Sequence, residues 1–329
     1  MELHKRVIRT CAFVVLGAVL LRILTGSPGK QLAAYIKGPQ MATFLLSAGT
    51  GRRPPQVVFP HRDTAQNSAI EPTQEAVTAA CFTQSDTRYL TFHNNIGCTT
   101  NSDDLLQTPL NWELTGEIPT VLILHTHATE SYTNTEHYTE TSQYRTLDPD
   151  YNMVSIGDRL TELLESGGIR VIHDRTLHDN PSYNDSYVYA RQTIEKHLTE
   201  HPEICLIIDL HRDAMENAYG QQVASTVDSP LGKSAQIMMV VGTDIGGFYH
   251  PDWQKNLSLA AKLQVLLQKR TPGICRPINL RSQRFNQDLS TGSLLIEMGA
   301  AGNTRQQALV AAELLAEAIL TLSHGSRYE

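Results

Sequence analysis

The chain has 329 residues, of which 41% are hydrophobic and 19% charged, so it can bury the core of one or two globular domains. Its formal net charge of −7 argues against a nucleic-acid-binding protein, which normally carries a basic stripe. The five cysteines form no CxxC pair, which argues against a zinc ribbon.

The N-terminal segment has the composition of a membrane anchor. Residues 4–9 are positively charged, and the stretch 10–21 carries no charge. A spanning helix needs about 20 apolar residues, and residues 7–25 reach that length if Arg9 and Arg22 extend towards opposite interfaces. No A-x-A cleavage site follows, which favours an uncleaved anchor over a removed signal peptide. The positive flank predicts a single-pass cell-membrane protein whose remaining chain is extracytoplasmic.

Three parts are therefore expected along the chain. They are a membrane anchor over residues 1–25, a membrane-proximal segment and linker over 26–87, and an extracytoplasmic catalytic domain over 88–329. Most of the linker is rich in Pro, Thr, Gln, Ser and Asn and poor in large apolar residues, which is typical of an extended connection. Cleavage near Gly26 or Gly29 would change the anchoring but not the compartment.

From residue 119 onward, strand and helix patterns alternate. This alternation predicts an α/β domain with a mostly parallel sheet and helices on both faces. Asp252 is expected to cap one helix, and Thr304 with Gln307 to form a capping box at the last one. We predict an edge strand over 88–93, strands over 121–124, 169–173, 204–208, 234–241, 275–280 and 293–296, and helices over 153–166, 187–198, 253–269 and 304–322.

Polar side chains follow the first apolar strand. Val121–Leu124 runs into His125-Thr-His127-Ala-Thr-Glu130. His127 and Glu130 have the H-x-x-E spacing that lets an imidazole and a carboxylate bind one zinc ion from a single turn. For one lone histidine a surface loop is the better explanation, but two histidines and a glutamate at the end of one strand favour half of a metal site.

Two later apolar runs also end in reactive side chains, Ile208 before Asp209-Leu-His211 and Ile296 before Glu297. Neighbouring strand ends can converge in space. His127, Glu130 and His211 are then three predicted zinc ligands that leave a fourth position for water. Glu297 is the predicted catalytic residue, which takes a proton from that water and delivers it to a leaving amine.

Other polar residues suit supporting roles or substrate contacts. Asp209 and Asp213 can orient His211 or pair with Arg212. Solvated loop positions remain an alternative for several of them. The further candidates for substrate or supporting contacts are His125, Arg212, Asp213, Arg284 and Asn286.

These motifs resemble the stage II sporulation protein P family of cell-wall hydrolases. Their order along residues 119–325 and the short N-terminal anchor fit the same family. The matching signatures are His125-Thr-His127-Ala-Thr-Glu130-Ser-Tyr132, Asp209-Leu-His211-Arg-Asp-Ala214, Arg284-Phe-Asn286-Gln-Asp-Leu289, Leu295-Ile-Glu297-Met-Gly299 and Asn303-Thr304.

The resemblance implies a zinc-dependent N-acetylmuramoyl-L-alanine amidase, which removes stem peptides from the glycan of peptidoglycan. It also implies a second activity on peptide crosslinks, and action at the septum during spore engulfment. The implied partners are peptidoglycan, the membrane, the sporulation transglycosylase (protein D) and a membrane scaffold (protein M).

By the same resemblance, His127 and His211 fall at two zinc ligands of the broader amidase group, and Glu297 falls at its catalytic glutamate. The chain lacks that group's glycine pair beside the first histidine. The group's third ligand is a glutamate at the start of the following helix, where this chain has Asp150 and Tyr151. We assign the third ligand to Glu130 instead.

Two other functions compete with this interpretation. A zinc carboxypeptidase-like or deacylating enzyme also uses H-x-x-E with a distant histidine, and it needs an arginine for a terminal carboxylate, for which Arg212 or Arg284 is available. A non-catalytic wall-binding scaffold with a vestigial metal site is the other alternative. Intact His127, His211 and Glu297 argue against it.

Overall fold

The computed structural model describes residues 82–110, 114, 117–133 and 144–324. The predicted anchor over 1–25 and nearly all of the linker over 26–87 lie outside these residues, so both stay predictions. Within the described chain, none of the helices is both long enough and apolar enough to cross a bilayer.

The elements follow the predicted alternation of strands and helices. The helices are α1 (Ser102–Gln107), α2 (Met153–Ser166), α3 (Ser186–Glu200), α4 (Trp253–Arg270) and α5 (Arg305–His324), with short 3₁₀ turns at Gln84–Tyr89 and Gln287–Leu289. The strands are β1 (Phe92–His93), β2 (Val121–Leu124), β3 (Val171–His173), β4 (Leu206–Asp213), β5 (Thr226–Ser229), β6 (Gly232–Ala235), β7 (Ile237–Gly242), β8 (Ile278–Arg281) and β9 (Ser293–Ala300).

Seven strands form one sheet in the order β1-β8-β7-β9-β4-β2-β3. Every neighbouring pair in it is parallel except β7 and β9, which are antiparallel. The predicted mostly parallel α/β sheet is therefore confirmed, with β9 in its centre. Of the edge strand predicted over 88–93, only Phe92–His93 forms a strand, because Gln84–Tyr89 is a 3₁₀ turn. Because of the single antiparallel pair, β7, β8 and β1 run opposite to the other four strands.

The predicted strand over 234–241 is wrong in one respect, because it is two strands. β6 pairs with β5 in a separate hairpin, and β7 pairs with β8 and β9. The chain changes partner at Gln236, whose amide N–H donates to the Ser225 carbonyl at 2.9 Å. A continuous apolar run does not reveal such a change, since both pieces satisfy the same strand pattern.

The two faces of the sheet are covered unequally. One face packs on α2, α4 and α5 in a large apolar core that includes Val121, Ile123 and Ile208. The other face meets α3 over β2 and β4, through a smaller cluster that includes Leu122 and Ile207. Beyond α3, the part of that second face formed by β9, β7 and β8 packs only on Phe285 among the described hydrophobic residues. This part is called the open half below.

The helix caps divide into one confirmed prediction and one that is wrong. At α5, the Thr304 amide donates to Gln307 Oε1 at 3.1 Å and the Gln307 amide to Thr304 Oγ1 at 3.2 Å, which is the predicted capping box. Asp252 precedes α4 but makes no side-chain capping bond. Its carboxylate instead lies 2.9 Å from the ammonium of Lys255, which competes for it.

Candidate metal centre and groove

The turn after β2 places His127 and Glu130 on the second face of the sheet. The Glu130 amide donates to the His127 carbonyl at 3.1 Å and closes the turn. The turn is fixed to β4 by Asp209, whose carboxylate accepts from the Thr126 amide at 2.7 Å and its hydroxyl at 2.6 Å. This turn is therefore a buried, hydrogen-bonded part of the domain and not the solvated surface loop of the alternative explanation.

The sequence had suggested that His211 and Glu297 lie beyond the ends of strands. In the structure, both residues lie inside strands. β4 continues to Asp213 and β9 to Ala300, and His211 stands opposite Glu297 in their pairing. Because side chains alternate along a strand, Asp209 and His211 share the second face while Leu210 enters the core.

The structure brings the three predicted metal ligands together. One ligand atom each of His127, Glu130 and His211 lies within 4.8 Å of the others. The Nδ1 of His127 is 3.6 Å from one Glu130 oxygen, and the Nδ1 of His211 is 3.5 Å from the other. Two imidazole nitrogens and a carboxylate facing one point are a donor set typical of catalytic zinc.

Neighbouring groups hold the two histidines in place. The Nε2 of His211 lies 3.0 Å from Asp209, which leaves Nδ1 to face Glu130. A carboxylate behind a ligating histidine is the usual arrangement around zinc, since it fixes the tautomer. The ring of His127 stacks on Tyr183 with centroids 4.5 Å apart, and Tyr187 contacts it edge-on at 5.5 Å.

Two arginines approach the carboxylate of Glu130. The Arg212 amide donates to it at 3.1 Å, and Arg145 lies 3.4 Å away. Burial disfavours the charged form of Glu130, but hydrogen bonds from His127 and His211, together with Arg212, hold its pKa well below the usual value. Burial likewise disfavours a charged His211, yet Asp209 and Glu130 keep its pKa well above normal.

Glu297 has a different environment from that of Glu130. Its Oε2 atom is buried and has no hydrogen-bond partner among the described residues. Burial, with the negative charges of Glu130 and Asp213, raises the pKa of Glu297 to about 8, although His211 and Arg212 oppose this. A carboxyl group with a raised pKa beside a metal site has the properties of a general acid–base.

The other predicted site residues have supporting positions. His125 is fully buried, donates Nδ1–H to the Leu210 carbonyl at 3.2 Å, and cannot contact a substrate. Burial lowers the pKa of His125 to about 3. Asp150, the alternative third ligand, is exposed and lies outside the cluster of His127, Glu130 and His211.

Pairing of Asp213 with Arg212 was a wrong prediction. Asp213 instead lies 2.7 Å from Arg276, because Arg212 donates to the carbonyls of Ser131 and Tyr144 at 3.0 and 2.8 Å. The Arg212 guanidinium also lies 3.8 Å from Glu130.

The predicted contacts near residue 285 are internal. Arg284 lies 3.3 Å from Asp288, and Asn286 donates its side-chain amide to the Tyr187 carbonyl at 2.8 Å. Both residues therefore hold the loop that carries Phe285 beside α3.

A groove of about 340 Å³ contains the three ligands and Glu297 and continues along the open half of the sheet. A larger cavity of about 670 Å³ adjoins it across Arg145, Tyr183 and Arg212, but the described residues that line it include neither the two histidines nor Glu297. Of these two cavities, the groove is therefore the one through which a ligand could reach the cluster and Glu297. Its donor set and the unpartnered oxygen of Glu297 fit a zinc ion with an open coordination position.

The sequence interpretation missed Tyr183, Tyr187, Arg145 and Arg276, all of which line this groove. The sequence placed Tyr187 only at the start of the helix predicted over 187–198. Burial, with Asp209, Glu297 and Glu130, raises the pKa of Tyr187, so its hydroxyl remains a proton donor. Its place at the first turn of a helix that follows a polar loop was the available signal.

Comparisons with known proteins agree with the motifs. The model of the stage II sporulation protein P family matches residues 36–320. Stage II sporulation protein P of Bacillus subtilis (strain 168) is 28% identical over 230 residues, which are 66% of this chain and 54% of that relative. The chain thus spans about half the length of the curated relative that it matches.

Solved structures give a weaker likeness. The CwlD amidase from Clostridioides difficile, in complex with the GerS lipoprotein, is 16% identical, with a TM-score of 0.38 over 62% of this chain and 96% of that one. The catalytic domain of CwlV, an N-acetylmuramoyl-L-alanine amidase from Bacillus (Paenibacillus) polymyxa var. colistinus, is 10% identical, with a TM-score of 0.38 over 63% and 99%. TM-scores this low support no conclusion about the activity of this chain.

Proposed function

We propose that this chain, which belongs to the stage II sporulation protein P family, is a zinc-dependent amidase that cleaves between N-acetylmuramic acid and L-alanine in peptidoglycan. One observation carries the proposal. His127, Glu130 and His211 converge beside Glu297, whose buried Oε2 has no partner among the described residues. The motifs that hold these residues are the ones that resemble the family.

Each residue has a role that follows from its surroundings. His127, Glu130 and His211 would hold the metal, and Asp209 orients His211 for that role. When bound, zinc supplies a Lewis acid for the amide carbonyl and acidifies a water molecule. Glu297 is placed to take a proton from a water molecule and to deliver a proton to the departing amine. Tyr187 offers a neutral O–H donor on the same side of the groove.

The carboxypeptidase-like alternative loses support from the positions of its arginines. Arg212 is buried against Glu130 and two backbone carbonyls, and Arg284 pairs with Asp288. Neither guanidinium is left for a terminal carboxylate next to the cleaved bond. The scaffold alternative does not explain why the buried Oε2 atom of Glu297 has no hydrogen-bond partner among the described residues, which is costly unless a ligand uses it.

The setting of the enzyme is part of the same proposal. The charge pattern of residues 4–22 supports a single-pass anchor with an extracytoplasmic domain, and family membership supports action during sporulation. Partnership with the transglycosylase (protein D) and the scaffold (protein M) completes the proposed role. A reporter fused after Glu329 should behave as extracytoplasmic, and cytoplasmic behaviour would exclude this substrate.

The activity itself is tested by product identification. Purified protein is incubated with peptidoglycan, and the released fragments are identified by mass spectrometry. Free stem peptides with an unmodified L-alanine amine are the expected products, and they should disappear after chelation. Release of single D-amino acids would favour the carboxypeptidase-like enzyme, and release of no fragment would favour the scaffold. Glu297→Gln protein provides the inactive control.

A further inference from the structure

We propose that the open half of the sheet carries a carboxylate-binding subsite, centred on the guanidinium of Arg281, for the far end of the peptide whose first amide is cleaved at Glu297. The inference rests on the proposed function, since it concerns how that substrate is held. It assigns a role to a residue that the motifs do not include.

Strand pairing places Arg281 and Glu297 on the same side of the sheet. Met238 on β7 stands opposite Glu297, and Gly242 on β7 stands opposite Arg281. Directly paired residues share a face, and residues two or four apart on one strand do so as well. The groove lining agrees, because it includes Glu297, Met238 and Arg281 together.

The floor between these two charged residues is apolar. Met238, Val240 and Leu295 form a small cluster with Phe285, and no helix of the described chain packs on it. At the far end, the backbone of Gln283 and Arg284 passes so close to Gly242 that a side chain there would collide with it. The groove therefore begins at His127, Glu130 and His211 and ends on β7 where this loop covers Gly242, beside Arg281.

Arg281 differs from the other arginines of the groove in its lack of an acidic partner among the described residues. Arg276 lies 2.7 Å from Asp213, while Arg145 and Arg212 approach Glu130. The side chain of Arg281 is exposed and makes no ion pair with any described residue. A guanidinium that lines the groove and has no ion-pair partner among the described residues is complementary to a carboxylate brought by a ligand, which it can bind through two parallel hydrogen bonds.

The distance fits a short peptide. Glu297 stands opposite Met238 on β7, and Arg281 stands opposite Gly242, four residues further along the same strand. Four residues along a strand and two spacings between strands separate the backbones of Glu297 and Arg281 by roughly 16 Å. An extended peptide advances about 3.3–3.6 Å per residue, so the carboxylate lies about four residues from the cleaved amide. In a carboxypeptidase the terminal carboxylate lies one residue from the cleaved bond, which Arg281 is too distant to bind.

The test uses two soluble substrates that differ in one group. N-acetylmuramoyl-tetrapeptide is prepared with a free C-terminal carboxylate and with a C-terminal carboxamide, and kcat/KM is measured for the purified full chain. The carboxamide should be cleaved about 10- to 100-fold less efficiently, since a charge-assisted bidentate contact is lost. Arg281→Gln should lower kcat/KM for the carboxylate to the level of the carboxamide and leave the carboxamide unchanged.

A matched control is Arg270→Gln, since Arg270 is also exposed but pairs with Glu317 on the helical side of the sheet. It should keep both rates. Equal cleavage of the two substrates by the wild-type protein, or an equal loss of both in Arg281→Gln, overturns the subsite while leaving the amidase intact. If neither substrate is cleaved, the proposed function fails. Fluorescence anisotropy with the two labelled tetrapeptides then decides the subsite alone, because equal affinities would overturn it.

Discussion

Two regions of this domain contain buried atoms of ionisable side chains, and the surroundings of these atoms differ. On α4, the fully buried ammonium of Lys262 donates to the carbonyls of Leu105 and Leu106 at 2.8 and 2.9 Å and lies 3.1 Å from the Ser258 hydroxyl. At the metal centre, the Oε2 of Glu297 is also buried but has no hydrogen-bond partner among the described residues.

This difference in hydrogen bonding indicates a structural role for Lys262 and a functional role for Glu297. A buried polar group without a partner costs about 1–3 kcal/mol, so a group that only supports the fold is fully paired. Lys262 meets this rule, because it satisfies carbonyls left free at the end of α1. Glu297 departs from it, and under the proposed function a substrate and a water molecule would complete its hydrogen bonds.

The strongest way to break this comparison is to neutralise Glu297. Glu297→Gln keeps the size of the side chain but cannot accept a proton at neutral pH. Turnover should fall by about 10²- to 10⁴-fold, the usual contribution of a positioned general base. Zinc content and the melting temperature should not fall, because the side chain supports neither the ligands nor the core. Loss of zinc in this variant would make Glu297 a ligand and leave Glu130 as the first candidate for the base.

The reciprocal change removes the structural charge. Lys262→Met leaves the two carbonyls and the hydroxyl without their donor, so unfolding free energy should fall by about 2–4 kcal/mol. Denaturant titration measures this, and turnover of the folded fraction should stay at the wild-type value. Lys255→Met is the control, because Lys255 is exposed beside Asp252 and its loss should change stability by less than about 0.5 kcal/mol. An equally small effect at Lys262 would show that its hydrogen bonds contribute nothing.

The pH dependence of stability sharpens the same point. Burial lowers the pKa of Lys262 from 10.5 to about 8 in the folded protein. Between these values the unfolded chain binds more protons than the folded one, so the contribution of Lys262 to stability rises with pH. The stability difference between the wild type and Lys262→Met should therefore increase from pH 8 to pH 10.5. A constant difference would contradict the lowered pKa.

A smaller effect is expected at the residue behind a ligand. Asp209→Asn weakens the orientation of His211, and zinc affinity should fall by about 10- to 100-fold in a competition titration with a chromophoric chelator. Asp174→Asn is a matched control, since Asp174 pairs with His197 at 2.9 Å outside the metal cluster. It should leave zinc affinity unchanged. Equal losses in the two variants would mean that Asp209 acts through the fold and not through His211.

The smallest effect concerns a helix cap. Thr304→Ala removes one half of the α5 capping box and should cost about 1 kcal/mol of stability in denaturant titration. Zinc affinity and turnover should not change, because the cap lies outside the groove lining. A change in zinc affinity would couple the cap to the cluster.

The sequence predicted the alternation of elements because buried strands and amphipathic helices have distinct periods. It predicted His127, Glu130 and His211 because their spacing and strand context fit zinc. It placed Glu297 beyond a strand end, whereas the residue lies within β9, since a short apolar run gives no sign that the strand continues.

The features that the sequence did not reveal depend on ion pairs and strand pairing between distant residues. Asp213 bonds Arg276 and not Arg212, and the antiparallel β7 exposes the groove in which Arg281 lies. Both depend on contacts between residues distant in the chain, and local patterns do not encode them.

The central claim is most directly tested by metal content. Zinc is measured by mass spectrometry in purified wild-type protein and in Glu130→Gln and Asp150→Asn. We predict about one zinc per chain in the wild type and in Asp150→Asn, and a large loss in Glu130→Gln, because Glu130 faces both histidines while Asp150 is exposed. Zinc retained in Glu130→Gln but lost in Asp150→Asn would contradict this assignment. Fully active wild-type protein without stoichiometric metal would contradict the zinc centre altogether.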